Sequence, residues 1–316
     1  LKGKSVLVTG GAGFIGSHLV RALVAEGAKV RVLDNFSTGS RINLCEVDRK
    51  IEMQEGDIRN AIACRNACRG IDTVFHLAAY ISVPGSVRDP VTADAINMGG
   101  TLNLLLAARD SNVKRFVFSS SSAVYGDTSV LPTHEEVLPK PTAPYGVEKL
   151  YGEHMCRLFH QLYGLEAVAL RYFNVYGPGQ NPESEYAAVI PKFISMLLAG
   201  DAPTIFGDGS QTRDFLFVED VVQANLCAAK AEQVGGEVFN VAGGNSVSLC
   251  ELVFALNAVL KIKKKTKFAP ERAGDIKHSS ADISRARQKL GFEPQFDLQA
   301  GLEHAVKYYK AMTRNA

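Results

Sequence analysis

Eight residues near the start of the chain, Thr9-Gly10-Gly11-Ala12-Gly13-Phe14-Ile15-Gly16, admit few folds. They follow Ser5 to Thr9 (SVLVT), a short apolar run with the look of a strand buried on both faces. They open onto residues 14–26, whose apolar positions recur at helical spacing and stop at Gly27. In such a turn the first glycine permits the tight bend and the second lets backbone approach a pyrophosphate. The third lets the helix pack on the sheet. The start of the helix adds free N–H groups and positive partial charge. The next strand pattern, 29–33 (KVRVL), ends at Asp34, 18 residues beyond Gly16. A carboxylate there accepts both ribose hydroxyls of an adenosine and repels a 2′-phosphate. The pattern therefore predicts a dinucleotide site that selects NAD over NADP.

The same texture continues. Strand patterns at 51–54, 73–76 (TVFH), 115–119 (RFVFS), 166–172 (EAVALRY) and 237–241 alternate with helices near 60–69, 91–110 and 145–163. That alternation predicts an α/β fold with a parallel, doubly wound sheet. Beyond Tyr176 a turn-rich stretch, Gly177-Pro-Gly-Gln-Asn-Pro182, changes the rhythm. Residues 246–316 read as a helix, a basic strand and two amphipathic helices. The expected domains are 1–176 with about 215–245 for the dinucleotide, and about 177–214 with 246–316 as a smaller, interleaved α/β unit.

Composition narrows the classes. The 316 residues are 46% hydrophobic and 22% charged, enough for a full core without disulfide or metal staples. Lys plus Arg number 35 against 33 Asp plus Glu, too balanced for a nucleic-acid coat or a membrane surface. The dense basic run, Lys261, Lys263, Lys264, Lys265 and Lys267, reads as a solvated edge. Cys64 and Cys68 lack metal or redox spacing, and the other cysteines are scattered, as in a reduced, cytoplasmic protein. The histidines show no metal-ligand pattern, so no metal is expected. No apolar run reaches the ~18 residues of a membrane span, and the short apolar stretch at 5–9, bounded by glycines, does not read as the apolar region of a signal peptide.

Further cofactor contacts are expected at strand ends. Asp57 and Ile58 follow the third strand, where an adenine amino group can be met. Leu77, Ala78 and Ala79 follow the fourth, where small side chains allow close approach. His76 reads as a packed core histidine. The fifth strand ends in Ser119-Ser120-Ser121-Ser122, at the sheet edge where ligands bind. Downstream, Tyr145 and Lys149 share a helix face. A protonated Lys149 and an oxidised nicotinamide ring both favour the Tyr145 phenolate. Lowering a phenol from about 10 towards 7 needs ~4 kcal/mol, within reach of two cations shielded from water. Tyr145 then serves as a general base.

With these residues assembled, the chain resembles the extended short-chain dehydrogenase/reductases, and within them the nucleotide-sugar 4-epimerases. The matching segments are TGGAGFIG (9–16), LDNFSTG (33–39), FHLAA (75–79), SSSSAVYG (119–126), YGVEK (145–149), RYFNVYGP (171–178), GDGSQTRDF (207–215) and RAGD (272–275). The resemblance covers essentially the whole chain. It implies a Rossmann-type dinucleotide domain, and NAD contacts at Gly10, Gly13, Phe14, Ile15, Gly16, Asp34, Asn35, Phe36, Ser37, Gly39, Asp57, Ile58, Leu77, Ala78, Ala79, Ser119, Tyr145, Lys149, Tyr172 and Val175. It implies Ser121 as the hydroxyl bridging sugar and tyrosine, Tyr145 as the base, and Lys149 as its electrostatic partner and ribose contact. The implied reaction inverts C4 of a UDP-hexose through a transient 4-keto sugar, with NAD kept bound.

On the substrate side the resemblance places Asn174 at the diphosphate, Arg213 and Arg272 on the phosphates, Thr204 and Phe206 at the uracil, and Asp275 at the uridine ribose. Family members that dehydrate sugars carry an Asp-Glu pair where this chain has Ser122 and Ala123, and those that decarboxylate a uronic acid carry Glu at Ala123. Epimerisation gains weight accordingly. In epimerases restricted to plain glucose and galactose a bulky Tyr matches Ser279. Serine there, with the Ser82 loop, implies UDP-N-acetylglucosamine and UDP-N-acetylgalactosamine as substrates, with the plain hexoses as further ones. Alternatives are a UDP-glucuronate 4-epimerase or decarboxylase and, in another class, a non-catalytic NAD-sensing regulator, which has no need of Ser121, Tyr145 and Lys149 together. The resemblance also implies a homodimer through the helices near 91–110 and 145–163.

Overall fold

The computed structural model describes residues 1–182, 188–271 and 276–315. Its strands are β1 (Ser5–Thr9), β2 (Lys29–Asp34), β3 (Ile51–Glu55), β4 (Thr73–His76), β5 (Arg115–Ser121), β6 (Glu166–Tyr172), β7 (Asn174–Tyr176), β8 (Thr204–Phe206), β9 (Thr212–Phe217), β10 (Val238–Val241), β11 (Ser246–Ser248) and β12 (Lys267–Ala269). Its helices are α1 (Phe14–Ala25), α2 (Ala61–Cys68), α3 (Val83–Arg88), α4 (Pro90–Asp94), α5 (Thr101–Asp110), α6 (Pro144–Tyr163), α7 (Val189–Leu198), α8 (Val218–Lys230), α9 (Leu249–Leu260), α10 (Ser284–Leu290) and α11 (Leu298–Asn315).

Seven strands form one parallel sheet in the order β10-β6-β5-β4-β1-β2-β3. Side chains alternate across it. Val6 and Val8 enter the core shared with α1 and α8, while Leu7 enters the one shared with α2, α5 and α6. Both faces of β1 are therefore covered, which is why its sequence is a continuous apolar run. The chain winds from β1 towards β3 in one direction and from β4 towards β10 in the other. The order reverses between β1 and β4, and a crevice opens beyond their carboxyl ends.

A third core lies apart, built by α7, α9, α11 and the inner residues of β9, with Tyr176, Phe193, Phe217, Leu252 and Leu302 buried in it. Above it β7, β9 and β11 form a small sheet, and β8 pairs with β12. From β9 the chain returns through α8 to the first core and through β10 to the edge of the large sheet.

Two expectations need correction. The helix expected over 91–110 is α4 and α5 joined by a π-helical turn, Ala95–Gly100. Gly99 and Gly100 weaken the regular helix there, and a Cβ at Gly100 would meet Ile58 Cδ1 at 2.5 Å. The basic strand shrinks to Lys267–Ala269, and the lysines before it stand exposed in a loop, where their like charges stay solvated. Helix α6 follows the expected course. Pro144 sits at its first turn and Gly164, with φ 69°, ends it in the left-handed conformation. Among the described residues, no helix is long and apolar enough to cross a membrane.

Candidate active site

The crevice between β1 and β4 is a cavity of about 460 Å³. At one wall lies the glycine turn. Gly10 has φ +68°, and a Cβ there would approach Ala78 N to 2.7 Å, so the turn and the exit of β4 touch backbone to backbone. A Cβ on Gly16 would collide with the Gly10 carbonyl oxygen. No side chain caps α1, so the N–H groups of its first turn stay available at the positive end of the helix. Gly13, Phe14, Ile15 and Gly16 all line the cavity.

Asp34 ends β2, 7% exposed, and also lines the cavity. Its Oδ2 accepts the Ala12 N–H at 2.9 Å and its Oδ1 the Phe36 N–H at 2.8 Å. Each oxygen keeps a further lone pair for a ribose hydroxyl. Asn35 donates to Asp57 at 2.9 Å, and Arg59 grips the same carboxylate with two bonds, 3.0 and 2.7 Å. These bonds, Arg59 foremost, hold Asp57 at about 2, below the usual carboxylate range. Ser37, Gly39, Ile58, Leu77, Ala78 and Ala79 complete this half of the lining. The close-packed glycine cradle, the buried carboxylate and the uncapped helix start fit a dinucleotide.

Phe36 and Val175 are not among the residues lining the cavity. Phe36 packs on the first core under Arg41, whose guanidinium lies 4.5 Å from the ring centroid. Val175 on β7 packs between the first and third cores.

At the far wall stand Tyr145 and Lys149. Helix α6 can lie close on β5 because Gly152 has no side chain; a Cβ there would collide with the Phe118 ring. This brings Lys149 Nζ to the Ser119 carbonyl oxygen at 2.8 Å, 5.7 Å from the Tyr145 ring centroid. Ser121 ends β5 near enough to the Tyr145 hydroxyl to favour its ionisation, its Oγ accepts the Ala123 N–H at 3.2 Å, and it is not among the residues lining the cavity. Ser119 meets Tyr172 OH at 3.1 Å, and Asn225 holds that hydroxyl at 2.8 Å. Ser120 donates to Glu153 at 2.5 Å, and Glu153 is paired in turn with buried Arg171 at 2.6 and 2.8 Å. The serine strand end is thus braced from behind. His76, hydrogen-bonded to Thr9 at 2.8 Å and Thr101 at 2.9 Å, is lowered to about 3 by burial, a packed neutral histidine as expected.

The expected phenolate calls on two cations, Lys149 and a nicotinamide ring, and the protein's own groups supply only the first. Burial pushes Tyr145 up to about 12, and Ser121 nearby offsets only part of that. Burial also pulls Lys149 down to about 8, against the pull of Glu148 and Glu153. The enclosure that strengthens charge interactions first penalises every charge inside it. The protein's own groups therefore hold a phenol, and a further positive charge must arrive beside it before it ionises.

Among the substrate-side residues, Asn174 and Arg213 lie on the paired strands β7 and β9, Thr204 and Phe206 on β8, and Ser279 in a loop. Asn174 opens β7, just beyond Tyr172 at the cavity edge, and donates to the Asp214 carbonyl at 3.1 Å. Arg213 on β9 donates to the Thr212 carbonyl at 2.8 Å. Ser279 N–H donates to the Thr212 carbonyl at 3.1 Å, which sets Ser279 beside β9. Thr204 and Phe206 bound β8, where Gln211 donates to the Phe206 carbonyl at 2.6 Å. Ser82 lines the cavity itself. Arg272 and Asp275 lie outside the described residues. The sequence reading did not find Tyr80, Ile81 and Arg88, which extend the wall past Ala79. Their only signal is that they continue the chain from a strand end already assigned to the site.

Comparison with known proteins agrees with this geometry. Residues 6–242 match the family described as Epimerase, the NAD dependent epimerase/dehydratase family. A UDP-N-acetylglucosamine 4-epimerase from Methanobrevibacter ruminantium M1, solved with UDP-N-acetylmuramic acid, is 42% identical with a TM-score of 0.95, covering 99% of this chain and 100% of that one. The UDP-glucose 4-epimerase of Mycolicibacterium smegmatis is 41% identical over 308 residues, 96% of this chain and 98% of its own length. A UDP-glucose 4-epimerase from Thermus thermophilus, solved with NAD, is 36% identical with a TM-score of 0.88, covering 97% and 99% of the two chains.

Proposed function

Because the chain belongs to the NAD dependent epimerase/dehydratase family, we propose that it inverts carbon 4 of a UDP-hexose with NAD held in place. The substrates are UDP-N-acetylglucosamine and UDP-N-acetylgalactosamine, with UDP-glucose and UDP-galactose as further ones. The observation that carries this reading is that Tyr145 and Lys149, with Ser119 and Ser120, face the same cavity as the glycine turn, Lys149 Nζ lying 5.7 Å from the Tyr145 ring centroid.

Bound NAD⁺ supplies a hydride acceptor and a positively charged ring. Gly10, Gly13 and the first turn of α1 would hold its pyrophosphate, Asp34 the adenosine ribose and Lys149 the other ribose. Tyr145 accepts the proton of the 4′-hydroxyl and hands it back once the sugar has turned over. Ser121 bridges the phenol and the sugar oxygen. Tyr145 is 9% exposed, so the proton it holds is not readily lost to bulk water. Arg213, with Arg272, would neutralise the diphosphate in the forked manner of guanidinium groups. Thr204 and Phe206 would edge the base. Ser279, small and beside β9, would leave room for an N-acetyl group. The division of labour is residues 1–176 with about 215–245 for NAD, and about 177–214 with 246–316 for the UDP-sugar. The third core, built from α7, α9 and α11, supports it, although residues 281–292 pack in the first core and Tyr176, Phe215 and Phe217 in the third.

A homodimer belongs to the same reading. On α6 the residues Val147, Tyr151, Met155, Leu158 and Leu162 recur at helical spacing, with Val147 50% and Leu162 67% exposed. Val91, Ala95, Met98 and Leu102 form a similar run across α4 and α5, with Val91 78% exposed. Met155 and Leu102 pack on the second core, whereas the exposed Val147, Leu158 and Leu162 of α6 and Val91 of α4 suit a bundle with a second copy.

A second reading, a UDP-glucuronate 4-epimerase or decarboxylase, has one observation in its favour. Arg88 lines the cavity next to the Ser82 wall, and a guanidinium suits a C6 carboxylate. The test is NMR of five separate UDP-sugars incubated with enzyme without added NAD. Appearance of the C4 epimer of an acetylated sugar supports the first reading. Turnover of UDP-glucuronate alone selects the second. NAD binding with every sugar unchanged replaces both with a sensing role.

A further inference from the structure

Glu148 lies between Tyr145 and Lys149 in sequence, yet the chemistry above gives it no task. Its side chain is buried, at 3% exposure. Its Oε2 accepts Asn97 Nδ2 at 2.5 Å. The same Asn97 grips the Tyr80 backbone on both sides: its Oδ1 accepts the Tyr80 N–H at 2.8 Å and its Nδ2 donates to the Tyr80 carbonyl at 3.0 Å. Asn97 sits in the π-helical turn, where one extra residue per turn changes the direction side chains face. Tyr80 begins the 80–82 wall of the cavity.

That wall leads into α3. Ser82 Oγ caps α3 by accepting the Gly85 N–H at 2.9 Å, and the Tyr80 hydroxyl lies so close to Gly85 that a Cβ there would meet it at 2.5 Å. One residue on, Ser86 Oγ accepts the Tyr145 N–H at 3.1 Å. The contacts close a ring from Glu148 through Asn97, Tyr80 and α3 to Tyr145, and back along α6. A glutamine could accept the Asn97 bond without the cost of burying a charge. The groups facing the carboxylate are Tyr145 and Lys149 on its own helix, Asn97 on the π-helical turn and Asp94 on α4. Its negative charge favours the charged form of Lys149 and the neutral form of Tyr145.

We propose that Glu148 is a positioning residue that ties the 80–82 wall to the catalytic helix through Asn97. The kinetic part of the test rests on the epimerase reading; the exchange part does not.

The experiment compares the full-length wild type with E148Q and E148A by amide hydrogen exchange and by steady-state kinetics. Glutamine keeps the acceptor for Asn97 and drops the charge, whereas alanine drops both. In E148A the Tyr80 amide should exchange at least about tenfold faster, and KM for the UDP-sugar should rise about tenfold with kcat less affected. In E148Q the exchange and KM should stay within about twofold of wild type, because the acceptor for Asn97 remains. A Tyr80 amide equally protected in E148A, or one that exchanges as fast in E148Q as in E148A, overturns the proposal. Should E148A not fold, Asn97→Ser removes the same link and carries the same expectation. Faster Tyr80 exchange in a protein inert towards every UDP-sugar would uphold the ring and sink the epimerase reading.

Discussion

Substitution E153Q should be far more damaging than a change of one atom suggests. Glu153 and Arg171 form a pair with side-chain exposures of 3% and 4%, joined at 2.6 and 2.8 Å. The glutamate also accepts the Ser120 hydroxyl at 2.5 Å. Arg171 lies 4.6 Å over the Tyr125 ring, so neither charge can retreat to water without unpacking that ring. Removing one partner leaves a buried guanidinium uncompensated, a loss of about 3–5 kcal/mol. That is a large part of the roughly 5–15 kcal/mol that holds an ordinary protein folded. The assay is urea unfolding followed by far-UV circular dichroism. The double variant E153L/R171M supplies the control. Replacing both charges with apolar groups of similar size removes the unpaired ion and leaves mainly the Ser120 hydroxyl without its acceptor, a deficit of about 1–2 kcal/mol. The double variant should therefore be more stable than E153Q alone. Equal urea midpoints for E153Q and wild type, or a double variant weaker than the single one, would refute the reasoning.

Other outcomes follow from the same geometry. Tyr145→Phe should lower kcat by at least about 10²-fold while NAD stays bound, checked by turnover and by cofactor content of the purified protein. Ser279→Tyr should remove activity on the acetylated sugars and spare the plain ones; equal loss on both would mean that residue 279 does not gate the pocket. His76, lowered to about 3 by burial, should make the fold acid-sensitive. An unfolded histidine titrates near 6.5, so the unfolded chain binds the extra proton between these values. The stabilisation is complete above about pH 6.5 and is lost as pH falls towards 3, about 3 kcal/mol of it between pH 7 and 4. His76→Asn should show a shallower loss of urea stability over that range than wild type. Gly10→Ala forces a Cβ into a left-handed turn against Ala78 and should abolish NAD retention, measured by cofactor release on gel filtration.

Much of the cofactor half was legible in the chain because it depends on near neighbours. The turn at 9–16, Asp34 at a strand end, and Tyr145 one helical turn before Lys149 are all local patterns, and the folded chain brings them to one cavity. The elements after residue 176 were harder to read. β7, β8, β11 and β12 are three residues each, too short to show periodicity, and they exist because they pair with one another or with β9.

Local order thus sufficed for the parallel sheet and the dinucleotide turn, since strand runs, helical spacing and glycine stops are written in consecutive residues. The protonation of Tyr145, the bracing of Ser120 and the clasp of Glu148 on Asn97 were decided only in three dimensions. The contacts behind the last two join residues 33 and 51 positions apart. Their strength comes from exclusion of water, a property of the packed whole that no short segment contains.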